Sequence, residues 1–297
     1  MPALGSPLWW TLVSTIVMGV GIGVLTQPQL AVRFMTVKSS KEINRGVIAG
    51  GIFILAMTGV AFVVGALSNV YFINNPKFGQ IGLALTQNNV DKIIPLYINS
   101  AMPTWFVYVF MLTLLSAAMS TSSSQFHAMG TAIGRDLFEK IIYKGKNSPY
   151  TVLITRIGIL IGVLVTVILG FKLPQSIIAI ATSIFFGLCA STFLPTYTGA
   201  LFWKGMTKAG AIASMFTGFL VTALWLLFVH KKESEALGLC QLVFQKPTLA
   251  SAPWTVVDPI VIALPISFAV AVIVSLFTEK VPKAHVERCF KYFKLSK

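Results

Sequence analysis

Residues 115–138 read LSAAMSTSSSQFHAMGTAIGRDLF. The stretch begins inside a strongly apolar segment and places five consecutive hydroxyl residues, Ser120 to Ser124, where a lipid bilayer offers them no partner. On a helix, Ala117, Ser120, Thr121 and Ser124 stand at i, i+3, i+4 and i+7 and so share one face. Two hydroxyl oxygens on that face, with a backbone carbonyl using its second lone pair, can present a small cation with several neutral oxygens. Hard cations take oxygen ligands, and uncharged ones suit a monovalent ion that must leave again. The same spacing also fits packing: serine and threonine in apolar helices bond back to the preceding turn, and small residues let helices approach closely.

The flanking sequence decides the class of protein. Of 297 residues, 56% are hydrophobic and 11% charged, and the mean hydropathy is +0.81. A soluble domain carries about 25% charged residues, so this chain cannot cover a water-facing surface and reads as an all-α, polytopic integral membrane protein. The net charge of +14 does not point to nucleic acid, because the cations lie between apolar runs rather than on one basic face. Cys189, Cys240 and Cys289 are far apart and form no metal or disulfide pattern. No charge precedes Arg33, which argues against a cleaved signal peptide.

A span needs roughly 20 apolar residues. Seven segments qualify: 8–32, 46–73, 103–128, 150–171, 175–203, 209–229 and 255–277. With the N-terminus outside and the spans alternating, the inner segments 33–45, 135–156, 204–208 and 280–297 hold 17 of the 23 lysines and arginines. The outer segments 77–92, 172 and 231–246 hold the other 6. The positive-inside rule favours this orientation, which puts the C-terminal tail in the cytoplasm.

Three features interrupt the spans. Gly19, Gly21 and Gly23 precede Thr26-Gln27-Pro28-Gln29, consistent either with a broken helix lining a cavity or with a helix that ends near Gln27. The loop 74–102 has apolar patches too short to span and is expected to form short helices on the outer face, arranged as a lid. The fifth span carries Ala190-Ser191-Thr192 and Pro195-Thr196-Tyr197-Thr198-Gly199, a flexible point with freed carbonyls. Among ionisable residues, Asp136 reads as an interfacial ion pair or cap and His127 as a satisfied buried histidine. Asp258 reads as an interfacial residue at the outer end of the last span. Loop 230–254 suggests no role. No nucleophile–base set, metal cluster or phosphate loop is present in the sequence, so the chain does not read as an enzyme.

Ala117-Ala118-Met119-Ser120-Thr121, followed by Ala132-Ile133-Gly134-Arg135-Asp136-Leu137, resembles the sodium-site helix of the sodium/solute symporter family, which includes bacterial proline, pantothenate and sugar symporters. The run from Gly23 to Met35, GVLTQPQLAVRFM, resembles that family's glycine-rich, Gln-Pro-containing helix. Thr198 to Ala211, TGALFWKGMTKAGA, resembles the segment ending its tenth core helix. The three motifs occur in the family's order.

The resemblance implies a sodium site formed by the backbone oxygen of Ala117 and the hydroxyls of Ser120 and Thr121, with Ser124 outside the matched set. It implies a substrate lining that includes Gln27 and Pro28. The family's proline symporters place aromatics at the positions of Val20 and Val24, and that departure argues against proline itself as the solute. The implied architecture is a partial LeuT-like fold: residues 1–203 as the second inverted-repeat half, 204–278 as two further transmembrane helices, and 279–297 as a basic cytoplasmic tail. The first repeat, which carries the remaining sodium ligands in the family, would then lie on a separate segment or chain, making this a truncated or split form. The expected function is sodium-coupled symport of a small organic solute across the plasma membrane, with sodium as the coupling ion. The alternative is a non-transporting membrane subunit, or an inactive fragment, that uses its hydroxyl-rich helix for packing.

Overall fold

Among the residues described by the computed structural model, seven helices are long and apolar enough to cross a bilayer. The structure describes residues 2–27, 36–144, 148–172 and 178–291, and no strand occurs among them. The spanning helices are α1 (Pro7–Thr26), α2 (Ser40–Asn74), α4 (Thr104–Ile142), α5 (Thr151–Lys172), α6 (Ile178–Phe202), α7 (Lys208–Phe228) and α10 (Ile260–Phe277). Short helices α3 (Ile93–Ala101), α8 (Lys231–Leu237), α9 (Leu239–Phe244) and α11 (Lys283–Phe290) complete the labelled set. The outward side chains of the spanning helices, such as Ile52, Phe53, Leu112 and Leu160, are apolar and exposed, as lipid contact requires. This is an all-α, multi-pass membrane protein.

The chain divides into two compact units, Leu55–Ser176 and Met1–Ile54 with Ile177–Lys297. In the first, the end of α2 and the segment after it form a small aromatic core. Phe72 is fully buried, with the Phe78 ring 5.3 Å away, and Tyr71 meets Tyr97 of α3 at 5.2 Å. Asn69 accepts the Gly82 N–H at 3.1 Å, fixing a single helical turn at Gly82–Leu85. The expected short helices are therefore present. The chain reverses through Gln87 and Asn88, both in the left-handed region, which Asn tolerates better than most residues.

α4 and α5 pack through glycines. A Cβ at Gly130 would stand 2.9 Å from the Thr155 carbonyl, and one at Gly134 would stand 3.0 Å from the Thr151 carbonyl. With no hydrophobic force between helices in lipid, close backbone approach of this kind holds a pair together. Thr151 also donates to Glu139 at 2.9 Å. Phe126 and Met129 face Gly162, and Ile133 faces Gly158. His127 lies to the side of that stripe and is exposed, which corrects the expectation of a buried histidine.

In the second unit α1, α6, α7 and α10 form a bundle, again closed by small residues. Cβ positions at Gly19 and Gly210 would stand 2.8 Å from the Ser183 carbonyl and 3.0 Å from the Ala271 carbonyl. At Gly218 the same atom would lie 2.6 Å from the Ser191 carbonyl carbon. Thr207 caps α7 by accepting the Gly210 N–H at 3.0 Å. α1 runs unbroken to Thr26, π-wound over Thr11–Val20 and tightened to a 3₁₀ turn over Val24–Thr26. Gln27 then turns extended, with φ −62° and ψ 126°, as expected of a residue before proline. Within the described residues the helix ends at Thr26, and the continuation on which the two readings of this stretch differ lies outside them. Residues 28–35, Pro28 among them, lie outside the described residues.

Candidate functional site

Ala117, Ser120 and Thr121 all fall in the α-helical part of α4, Thr104–Thr131, before the helix becomes π-wound at Ala132. The regular winding brings them onto one face, as the spacing requires. All three are exposed, while the glycine stripe of the same helix is covered by α5. The helix thus has one face engaged within its unit and another that is uncovered.

Hydrogen bonding separates the hydroxyls of α4. Thr113 donates to the Val109 carbonyl at 2.8 Å, and Thr131 donates to the His127 carbonyl at 3.0 Å. Ser124 donates to the Thr121 carbonyl at 2.9 Å. These are the back-bonds that spend a hydroxyl locally. Ser120 and Thr121 make no side-chain hydrogen bond among the described residues, and neither do Ser122 and Ser123. Spacing then singles out Ser120 and Thr121, which stand one turn above the Ala117 carbonyl. Ser124 uses its hydrogen on the backbone, in keeping with its place outside the matched set.

The substrate pair is only partly visible. Gln27 is 5% exposed at the end of α1, in the unit that does not hold α4; Pro28 lies outside the described residues. Asp136 pairs with Lys140 at 2.7 Å one turn along the helix, with both side chains exposed. No group of three or more His, Cys, Asp or Glu residues suited to a metal occurs among the described residues.

Comparison with known proteins gives the same family. The model of the sodium:solute symporter family matches residues 9–218, a stretch containing Gln27, Pro28, Ala117, Ser120 and Thr121. The chain belongs to this family. A sodium/proline symporter of Staphylococcus aureus is 26% identical over 239 residues, covering 75% of this chain and 43% of the relative. The sodium/proline symporters of the JH9 and Newman strains are each 26% identical over 237 residues, with the same coverage. The match therefore spans less than half the length of these curated relatives. No solved structure matches the chain. The family is one of membrane transporters and not of enzymes, so a small solute and a bilayer are the setting in which its members work.

One polar junction escaped the sequence reading. Asp258, expected at the interface, is fully buried. The last spanning helix begins at Ile260 rather than near 255, and Asp258 sits in the turn ahead of it. There it is enclosed because its backbone N–H donates to Ser14 of α1 at 3.1 Å. His230 and Glu233, in the loop to which no role was given, are hydrogen-bonded to one another and nearly buried. The signal available was Asp258-Pro259 ahead of an uncharged apolar run, which marks a helix start but not its neighbours.

Proposed function

We propose that this chain provides the sodium-site half of a sodium-coupled symporter for a small organic solute. Sodium would be held by the Ala117 carbonyl and the Ser120 and Thr121 hydroxyls. The observation that carries this reading is that these two hydroxyls, inside the family match, are exposed and free of the back-bonds that Thr113, Ser124 and Thr131 make on the same helix. A hydroxyl with no donor duty and an open face can turn its lone pairs to a cation.

In this reading residues 1–203 form the second inverted repeat, 204–278 add two helices, and 279–297 form a cytoplasmic tail at the plasma membrane. Gln27 and Pro28 line the solute path. The first repeat, on a further segment or separate chain, supplies the remaining sodium ligands against the exposed α4 face, because family sites lie where the two repeats meet. Sodium binding then favours the outward-open state, and its gradient drives the rocking that releases solute inward. The substitutions at Val20 and Val24 favour a solute other than proline.

Uptake by vesicles carrying the intact assembly tests this. Sodium should stimulate uptake, and Ser120→Ala with Thr121→Ala should abolish the stimulation. Unchanged sodium dependence in that double variant would remove the site assignment.

A further inference from the structure

Four elements of the α1/α6/α7/α10 bundle meet around the Val257-Asp258 turn. The backbone N–H of Asp258 donates to Ser14 of α1 at 3.1 Å. Its Oδ1 accepts the Ile260 N–H of α10 at 2.9 Å and lies 2.9 Å from where a Cβ of Gly187 would stand on α6. Trp225 of α7 donates its indole N–H to the adjacent Val257 carbonyl at 3.1 Å. Oδ2, however, is buried and has no partner among the described residues. The hydroxyl of Thr15, next to Ser14, is likewise buried and unpartnered. Thr15 lines a cavity of about 100 Å³ together with Thr11, His230, Thr255 and Val256, and Lys231 and Lys232 complete its wall.

An ionised oxygen buried without a donor loses its hydration for nothing in return, at a cost of several kcal/mol. A bound cation removes that cost. Metal ions need several oxygen ligands, whereas here one of the two carboxylate oxygens is already engaged by the Ile260 N–H. A proton needs a single oxygen.

We propose that Asp258 is a proton-binding site that latches the first span to the last. Protonated, it leaves no buried charge where α1, α6, α7 and α10 meet, and the junction stays closed. On ionisation the proton leaves to solvent, and the bare charge draws in water and loosens the Ser14 contact. The groups facing it are few. His230 and its partner Glu233 approach from the α7–α8 side, Lys231 and Lys232 belong to the wall of the cavity beside Thr15, and α6 carries only Cys189 and Tyr197. α1 and α10 carry no titratable residue. Burial pushes the Asp258 carboxyl up to about 7; the Ile260 N–H and His230 pull it down, and Glu233 pushes it up.

This inference does not depend on transport, and its test uses no uptake. Infrared difference spectra of the full chain in lipid nanodiscs, taken from about pH 5 to about pH 9, bracket the expected midpoint. A protonated-carboxyl C=O band, shifted in deuterium oxide, should vanish near neutral pH and be missing in Asp258→Asn. Glu233→Gln should lower its midpoint and His230→Ala should raise it, which keeps the test decisive if Asp258→Asn fails to fold. A band that survives in Asp258→Asn, or an unmoved midpoint in Glu233→Gln, overturns the proposal. So does a midpoint that falls as sodium replaces choline, which would make the occupant a metal ion.

Discussion

In the bundle, Ser214 of α7 donates to the Ser267 carbonyl of α10 at 2.9 Å, and Ser275 accepts the Thr207 N–H at 3.2 Å. All three serines are buried. In α4, also apolar enough to span, the side chains of Ser120 and Thr121 are exposed and make no hydrogen bond among the described residues. The same residue types thus serve two ends. Where small residues bring two backbones together, a hydroxyl is consumed as an interhelical link. On a helix face with no neighbour in its unit, it keeps its lone pairs for something else.

The largest test of that contrast is on the α4 side. Each hydroxyl–cation contact is worth about 1.5 kcal/mol or more if it resembles a hydrogen bond to a charged group. Ser120→Ala with Thr121→Ala should therefore weaken sodium affinity of the intact assembly by about 100-fold or more, read by the sodium dependence of uptake. Its thermal midpoint without sodium should not move. A lowered midpoint with unchanged sodium response would make these hydroxyls structural after all.

Next in size is the buried carboxylate. Asp258 titrates near 7 in the fold instead of the ordinary 3.8, so the native state holds its proton to higher pH than the unfolded chain does. This contribution to stability is fully present below about pH 4, declines as pH rises toward 7 and is lost above it, with an effect on the order of a few kcal/mol. Asp258→Asn cannot ionise. Thermal unfolding in nanodiscs should show it matching the parent chain in acid and exceeding it in alkali.

Gly218→Val tests the packing side. Its Cβ would meet the Ser191 carbonyl, which is backbone and cannot swing away. A loss of about 1–3 kcal/mol or more is expected, read as a lower unfolding midpoint or poor membrane accumulation. The smallest effect belongs to Ser214→Ala, which removes one interhelical bond worth about 0.6 kcal/mol. The same change at Ser120 alone should cost no stability, and equal losses at the two serines would erase the distinction.

Much of this was legible along the chain. Each span is set by a run of apolar residues long enough for lipid, and a helix satisfies its own backbone wherever it sits. The hydroxyl face of α4 was legible for the same reason, since helical spacing alone fixes which residues share a face. Position relative to distant segments was not legible. His127 reads as buried until the Gly130–Gly134 stripe shows where α5 runs. Asp258 reads as interfacial until Ser14, 244 residues earlier, is found beside it.

The sequence by itself determined that this chain enters a membrane as a set of helices, where those helices lie, and which family they belong to, because hydropathy, helical period and local motifs act over tens of residues. Only the tertiary structure decided which polar groups are consumed in packing, which remain open, and which carboxylate is cut off from water. Those outcomes depend on which distant backbones approach each other, and glycine permits that approach without naming its partner.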